Sequence, residues 1–355
     1  MRTTAAATRV SPGLADHQPP KPPGFYAAGS VNFWHTFCVN MASTTFLRRA
    51  FSAAQVITRR QLFQGIGAAA AGGIGFGGYA LAEPFGTSVT PYRLSPPGWP
   101  TGLSLKLAVI ADLHACKPWM DVERIEGIVV HVNSLAPDCV LLLGDYVAGV
   151  RISRYSEPVT HAEWAGALGG LKAPLGVHAV LGNHDWWEDQ EAQDRGCGPT
   201  RAGLALERAG IRVYENACVR LRKDGQPFWL AGLGDQWAFF KHRRGPKSYV
   251  GIDDLAATLA PVTDDAPIVL MAHEPDVFPK VPERVSLTVS GHTHGGQVRL
   301  LGYAPIVPSK YGARYVYGHI VERERNLIVS GGLGCSGIPV RFGSPPEVVM
   351  IELGA

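Results

Sequence analysis

Five short polar blocks, each closing an apolar run, constrain this chain more than any other feature. In order they are Asp112-Leu113-His114, Gly144-Asp145, Gly182-Asn183-His184-Asp185, His273, and Gly291-His292-Thr293-His294. The runs before them, 105–111, 139–143, 177–181, 268–272 and 286–290, have the length and apolarity of buried strands. Helical periodicity lies between: Val122, Ile125, Ile128, Val129 and Val132 share one face of 121–134, and 162–171 and 200–209 also read as helices. That alternation implies an α/β domain with a largely parallel sheet. Such sheets bind ligands at the carboxyl ends of their strands, so all five blocks are expected at one edge. Further strands are expected at 211–214, 228–231, 298–301, 327–330 and 348–353, a strand-rich second half that suggests a second sheet packed on the first.

Taken singly, each block is an ordinary turn, and their order along one chain is what makes them a site. Asp145 carries two oxygens and can bridge two cations, which neither an amide nor an imidazole can do. Asn183 offers a neutral amide oxygen. The adjacent His184 is free to act as an acid, and Asp185 is a candidate to orient it. His292 and His294, two apart at a strand end, can each face a different ion. The set Asp112, His114, Asp145, Asn183, His273, His292 and His294 is a mixed oxygen and nitrogen donor set, suited to Mn, Fe or Zn better than to Mg or Ca.

Composition narrows the alternatives. A hydrophobic fraction of 46% with 18% charged residues supports a sizeable core and argues against a largely disordered chain. A net charge of +3 over 355 residues, with no long basic run, makes no case for nucleic acid as partner. The six cysteines form no CxxC pair, so neither a zinc ribbon nor a redox motif is indicated. A Cys197 to Cys218 disulfide is permitted in an exported protein, and spacing leaves the connectivity open.

The blocks and their order resemble the calcineurin-like metallophosphoesterase superfamily over residues 105–355. Within that span, Ser290-Gly291-His292-Thr293-His294-Gly295-Gly296-Gln297 and the tail 332–342 are similar to an exported or membrane-attached bacterial branch, some of whose members carry twin-arginine signals. The resemblance implies a four-layer αββα sandwich, two mixed β-sheets flanked by helices. It implies Asp112, His114, Asp145 and His294 around one divalent metal ion, and Asp145, Asn183, His273 and His292 around another. Asp145 would bridge, and His184 would be the proton donor. Two such ions polarise phosphoryl oxygens and ionise water near neutral pH, so hydrolysis of phosphoric esters is the expected reaction. The sequence lacks the Asp-Arg that follows Gly-Asp in the phosphoprotein phosphatase branch, which argues against that activity.

The segment before the domain has its own pattern. Residues 1–40 are Pro-, Ala- and Thr-rich and are expected to be disordered; Met41 offers a second start, which would make them an over-extended reading frame. From Met41 to Ala82 the order is basic residues, Thr58-Arg59-Arg60-Gln61-Leu62-Phe63, an apolar run over 62–81, and Ala80-Leu81-Ala82 at signal-peptidase spacing. This resembles a twin-arginine signal. An uncleaved membrane anchor is the alternative, since about 20 apolar residues span a bilayer; five glycines between Gly65 and Gly75 weaken the helix and favour cleavage. Either outcome places the domain across the cytoplasmic membrane, in the periplasm or envelope, with the twin-arginine machinery as a partner. The proline-rich 83–103 reads as a linker to a domain over 104–355.

The expected function is therefore a metal-dependent phosphodiesterase acting on an envelope or lipid-linked phosphate ester. A pyrophosphate hydrolase of a nucleotide-diphospho-sugar lipid, of the UDP-diacylglucosamine type in the lipid A pathway, is the alternative within the class. A non-catalytic metal-binding scaffold is the alternative outside it. Trp119, Trp186 and Trp187 are candidates to line the mouth of the site, set against ordinary packing under loops. The aromatic and basic segment 234–249 suits an anionic lipid headgroup, set against a solvated surface loop.

Overall fold

The structure, a computed structural model, describes Gly75, residues 77–241 and residues 248–354. The disordered extension expected over 1–40 and most of the expected leader lie outside the described residues. In chain order the strands are β1 (Ser88–Leu94), β2 (Leu105–Ile110), β3 (Cys116–Lys117), β4 (Cys139–Leu142), β5 (Glu157–Pro158), β6 (Val177–Ala179), β7 (Arg212–Val213) and β8 (Ala217–Lys223). There follow β9 (Gln226–Gly232), β10 (Phe239–Phe240), β11 (Tyr249–Val250), β12 (Ile268–Met271), β13 (Leu287–Ser290), β14 (Gly318–Glu322), β15 (Arg325–Val329) and β16 (Glu347–Leu353). The helices of the domain are α1 (Val122–Ser134), α2 (His161–Leu168), α3 (Asn183–Trp187), α4 (Gln190–Arg195), α5 (Arg201–Arg208) and α6 (Leu255–Leu259).

Two six-stranded sheets form the centre, in the orders β1-β16-β2-β4-β6-β7 and β14-β15-β13-β12-β9-β8. Both are mixed. In the first, β2, β4, β6 and β7 are parallel and β16 runs antiparallel to β2; in the second, β9, β12, β13 and β15 are parallel and β8 and β14 are antiparallel edges. Strand alternation sorts the side chains into layers. Leu105, Leu107 and Val109 of β2 join Leu230, Val269, Met271, Val289 and Ile351 between the sheets. Ala108 and Ile110 of the same strand face the other way, onto Ile125, Ile128 and Val132 of α1 and Trp164 of α2. Strands buried on both faces read as continuous apolar runs, which is why the sequence showed them so clearly. Beyond the second sheet, Leu270, Leu327 and Val329 pack on Phe278 and Tyr315. The result is the αββα sandwich that the resemblance implies.

The helices begin where their caps sit. Asp121 accepts from Arg124 N at 3.0 Å at the start of α1, and Thr160 and Glu163 form a reciprocal capping box at the start of α2.

The linker expectation for 83–103 is corrected. Residues 88–94 form β1, paired in parallel with β16 from Ser88↔Glu347 to Leu94↔Leu353. Pro91 disguised it, but β1 is an edge strand, where a missing N–H is tolerated. Just upstream, the Glu83 carboxylate accepts from Gly343 N and Ser344 N at 3.0 and 2.8 Å. The folded unit thus begins before residue 104. A strand was also expected at 298–301; the structure has there a tight turn closed between Leu300 and Tyr303.

Candidate metal centre

The five blocks do meet at one end of the sandwich, at the carboxyl ends of β2, β4, β6, β12 and β13. Two groups of ligand atoms form. Asp112, His114 and His294 make one, and Asp145, His273 and His292 make the other, the atoms of each lying within 4.8 Å of one another. Asp145 stands between them: its Oδ2 is 3.6 Å from His114 Nε2 and 3.3 Å from His273 Nε2. Its other oxygen, Oδ1, accepts from the backbone N–H of His184 at 2.8 Å. One carboxylate therefore faces both groups.

Reaching this arrangement strains the backbone. Asp112, His114, Asp145, His292 and His294 all have positive φ, between 46° and 70°. Conformations of this kind cost about 1 to 3 kcal/mol each and persist where the surroundings over-determine them. The turns also need bare backbone. A Cβ on Gly182 would lie 2.5 Å from Asp145 Oδ1 and 2.6 Å from His273 Cε1.

Hydrogen bonds fix which histidine nitrogens face inward. His114 Nδ1 is 3.0 Å from the Val147 carbonyl and His273 Nδ1 is 2.6 Å from that of Leu143. A carbonyl only accepts, so each Nδ1 carries the proton and each Nε2 presents a lone pair. These lone pairs come close to other histidines: His114 Nε2 is 3.1 Å from His294 Nε2, and His273 Nε2 is 3.2 Å from His292 Nδ1. Burial, above all, lowers His114 to about 4 and His292 to about 3, and with help from the His114 and Arg341 charges it holds His294 well below the usual imidazole range. Neutral imidazole is the form that binds metal.

The donor set fits divalent cations. Asn183 Oδ1 is buried without a partner among the described residues, and an orphaned buried acceptor is costly unless something binds it. Burial pushes the Asp112 carboxyl up to about 7, more than the charges of His273 and Arg341 offset. Asp145 is held well below the usual carboxylate range because His273, His184 and His114 together outweigh burial. The same carboxylate, with Glu274, raises His273 against the effect of burial. Two cations at these positions would satisfy Asn183, Asp112 and the inward lone pairs at once.

His184 stays outside both groups. Its Nδ1 lies 3.4 Å from Glu188 Oε1, one turn further along, and its ring stands edge-on to His114 at 5.0 Å. Burial opposes its charge, but Asp145 and Glu188 outweigh it and raise its pKa. No Cβ fits on Gly149, because the His184 ring fills that space.

Asp185 was a candidate to orient His184, and the structure gives it other partners. Its carboxylate accepts from the backbone N–H groups of Asp145 (2.9 Å), Tyr146 (3.0 Å), Val147 (3.2 Å) and Gly182 (2.9 Å). It holds the loop that carries Asp145, and the group beside the His184 ring is Glu188.

Besides Glu188, three residues of the site had no sequence assignment: Arg341, Asp235 and Glu274. Arg341 is fully buried and donates to the carbonyls of Gly331, Gly334 and Ser344, while its Nη2 lies 3.3 Å from His294 Nδ1. Behind His273, burial and the charge of Glu274 push Asp235 well above the carboxylate range. A lone arginine within an apolar, glycine-rich tail, and an acid beside a candidate ligand, were the available signals.

The tryptophans divide. Trp186 is wholly buried in the core, and Trp119 packs on Cys116, Ile152 and Cys335. Trp187 stands at the site, 5.2 Å from the His184 ring, stacked on Tyr249 at 4.9 Å; Tyr249 stacks in turn on Trp237 at 5.0 Å, and Trp237 meets the His292 ring edge-on at 4.7 Å. Residues 242–247, the basic part of the 234–249 segment, lie outside the described residues. Cys197 and Cys218 are both free thiols.

An αββα sandwich carrying two Asp/His groups joined by one carboxylate is a metal-dependent hydrolase of phosphoric esters. The family model of the calcineurin-like phosphoesterases matches residues 105–296. The chain belongs to that family. It is 29% identical over 305 residues to the metallophosphoesterase YkuE of Bacillus subtilis, covering 84% of this chain and 98% of that protein. It is 28% identical over 300 residues to the phosphodiesterase YaeI of Escherichia coli, covering 84% and 100%. A transmembrane protein with metallophosphoesterase domain from Bos taurus is 27% identical over 259 residues, 72% of this chain and 54% of that one.

Proposed function

We propose that this centre hydrolyses a phosphodiester, carried by a lipid or a cell-envelope polymer, outside the cytoplasmic membrane. The observation that carries the reading is the joint placement of His184 and the Trp187, Tyr249 and Trp237 stack on the border of the two ligand groups. A diester keeps one substituent on phosphorus throughout, and an aromatic wall gives an apolar substituent a surface to lie on. The 28% identity to an enzyme named as a phosphodiesterase supports the same reading. The export signal resemblance supports the location.

Divalent cations at the two positions would supply charge for the phosphoryl oxygens and a water ionised near neutral pH. The chain's own residues do the rest. Asp145 holds the two positions together, and its fixed Oδ1, bonded to His184 N, keeps the acid in register with them. His184, protonated and steadied by Glu188, gives its proton to the departing alkoxide oxygen. Asp185 keeps the Asp145 loop in its strained conformation.

Turnover of bis-p-nitrophenyl phosphate against p-nitrophenyl phosphate by the metal-loaded protein tests the reading. The diester should be the better substrate. A preference for the monoester would sink the diesterase assignment, and cleavage confined to nucleotide-diphospho lipids would replace it with the pyrophosphate reading.

A further inference from the structure

Six residues after His294 the chain makes a hairpin closed by Leu300 N to Tyr303 O and Tyr303 N to Leu300 O, both 2.9 Å. Its two tip residues, Leu301 and Gly302, have φ of 50° and 85°. Positive φ at both central positions suits Asn, Asp and Gly, and a bulky residue there is strained. Leu301 is also 109% exposed, so nothing in the domain packs on it to offset the strain. Leu300, Tyr303 and Ile306 around it are 47%, 68% and 78% exposed. Apolar groups gathered on a projecting tip mark an interaction site.

The hairpin is tied to the metal centre and to the leader. Gly296, in the same turn as His294, sits so close to Ala304 that no Cβ fits between them. At the hairpin's base Arg299 N donates to Phe342 O at 2.7 Å, and the Phe342 ring meets that of Tyr79 edge-on at 5.5 Å. Arg341 N donates to Ala80 O at 3.0 Å. The end of the apolar 62–81 run is thus docked at the foot of the hairpin.

We infer that this hairpin is a wedge that enters the surface of a lipid bilayer and sets the metal centre at the headgroup layer. The inference deepens the proposed function and rests on it for the substrate. A bilayer is favoured over a second protein by two features. Leu301 projects from a tip, a shape that a fluid phase accepts without a complementary pocket. The 62–81 run is apolar over a length that suits a bilayer, and near its end Tyr79 and Ala80 dock at the foot of the same hairpin.

The full-length, metal-loaded protein carrying an environment-sensitive fluorophore at Leu301→Cys tests this with vesicles of phosphatidylcholine and phosphatidylglycerol. The parent chain, labelled at its own cysteines, supplies the blank. The same label at Val321→Cys, on the β14 edge and 58% exposed, is the remote control. Emission at 301 should shift to the blue and be quenched several-fold more than at 321 by lipids brominated in the acyl chain. Emission at 301 that stays water-like while the vesicles hold the protein overturns the wedge, because the leader alone is then the anchor. Burial of the label by concentration-dependent dimerisation without lipid overturns it too. Leu301→Asp should keep full turnover of bis-p-nitrophenyl phosphate and lose several-fold on a fluorescent phosphatidylglycerol in the vesicles; equal turnover of the vesicle substrate counts against the wedge. If the parent turns over neither ester, the diesterase reading fails, and the label alone then decides for or against the wedge.

Discussion

In the proposed reaction, His184 and Asp145 divide the chemistry at the residue scale. Asp145 is the shared carboxylate, so Asp145→Ala should abolish activity and lower the bound metal by at least one ion, as elemental analysis would show; two retained ions would remove it from the bridging place. His184→Ala should keep both ions and lose about 10² to 10⁴-fold in turnover, the usual worth of a positioned acid. The pH dependence follows from the carboxylates that raise His184. A donor works only while protonated, so turnover falls as pH rises through its pKa, and a raised pKa carries activity further into the alkaline range. Glu188→Gln keeps an oxygen beside Nδ1 but removes a charge, and the alkaline fall should move to lower pH; an unmoved profile would deny Glu188 this part. The ligands were legible in the sequence because each follows an apolar run directly. The division between Asp185 and Glu188 was not. His184 and Asp185 are adjacent on a short helix and point to different sides, whereas Glu188 lies four residues after His184, beside its ring, and only the fold shows that Asp185 faces the Asp145 loop and Glu188 the imidazole.

At the scale of elements, the loops that carry the ligands depend on a second layer of loop. The tail segment donates from Leu333 N to Ala111 O (3.0 Å) and from Gly334 N to Asp112 O (2.7 Å), and Arg341 ties its carbonyls together from beneath. Arg341→Met should therefore destabilise the protein by roughly 2 to 4 kcal/mol, since it strands several buried carbonyls, and metal affinity should weaken with it. Denaturant unfolding alongside metal titration checks both. An unchanged midpoint would mean that water replaces the guanidinium. The same tail explains two misread elements. The 298–301 stretch has the composition of a strand, but Val298 bridges Phe342 and Leu300 then bridges Tyr303 across a tight turn, so the chain turns back at once. β1 has the prolines of a linker and is a strand because β16 offers it a free edge.

The whole molecule couples folding to its ions. Five strained ligand positions and a buried amide oxygen without a partner are features that bound cations compensate. Chelator-treated protein should unfold at a lower temperature and recover when Mn or Zn is restored. Binding confined to the folded state contributes about 4 kcal/mol per site at a free metal concentration 1,000 times Kd, so the shift should grow with added metal. A melting temperature indifferent to chelation would contradict two cation sites within this centre. Among the described residues no helix is long and apolar enough to cross a membrane.

The sequence by itself determined the layers and the candidate ligands. Burial on both faces imposes continuous apolar strands, parallel strands bring their carboxyl ends together, and metal chemistry limits which residues can follow them. The tertiary structure decided what depends on contacts between distant segments. Asp145 faces both ligand groups because loops after β2, β4, β6 and β12 converge on it. Glu188, in place of Asp185, attends His184. Arg341, 47 residues beyond His294, reaches back to its ring. Leu301, unremarkable in the sequence, is the fully exposed tip of a strained turn. Local pattern records what each segment must bury, whereas partners at long range are set only when the sheets close.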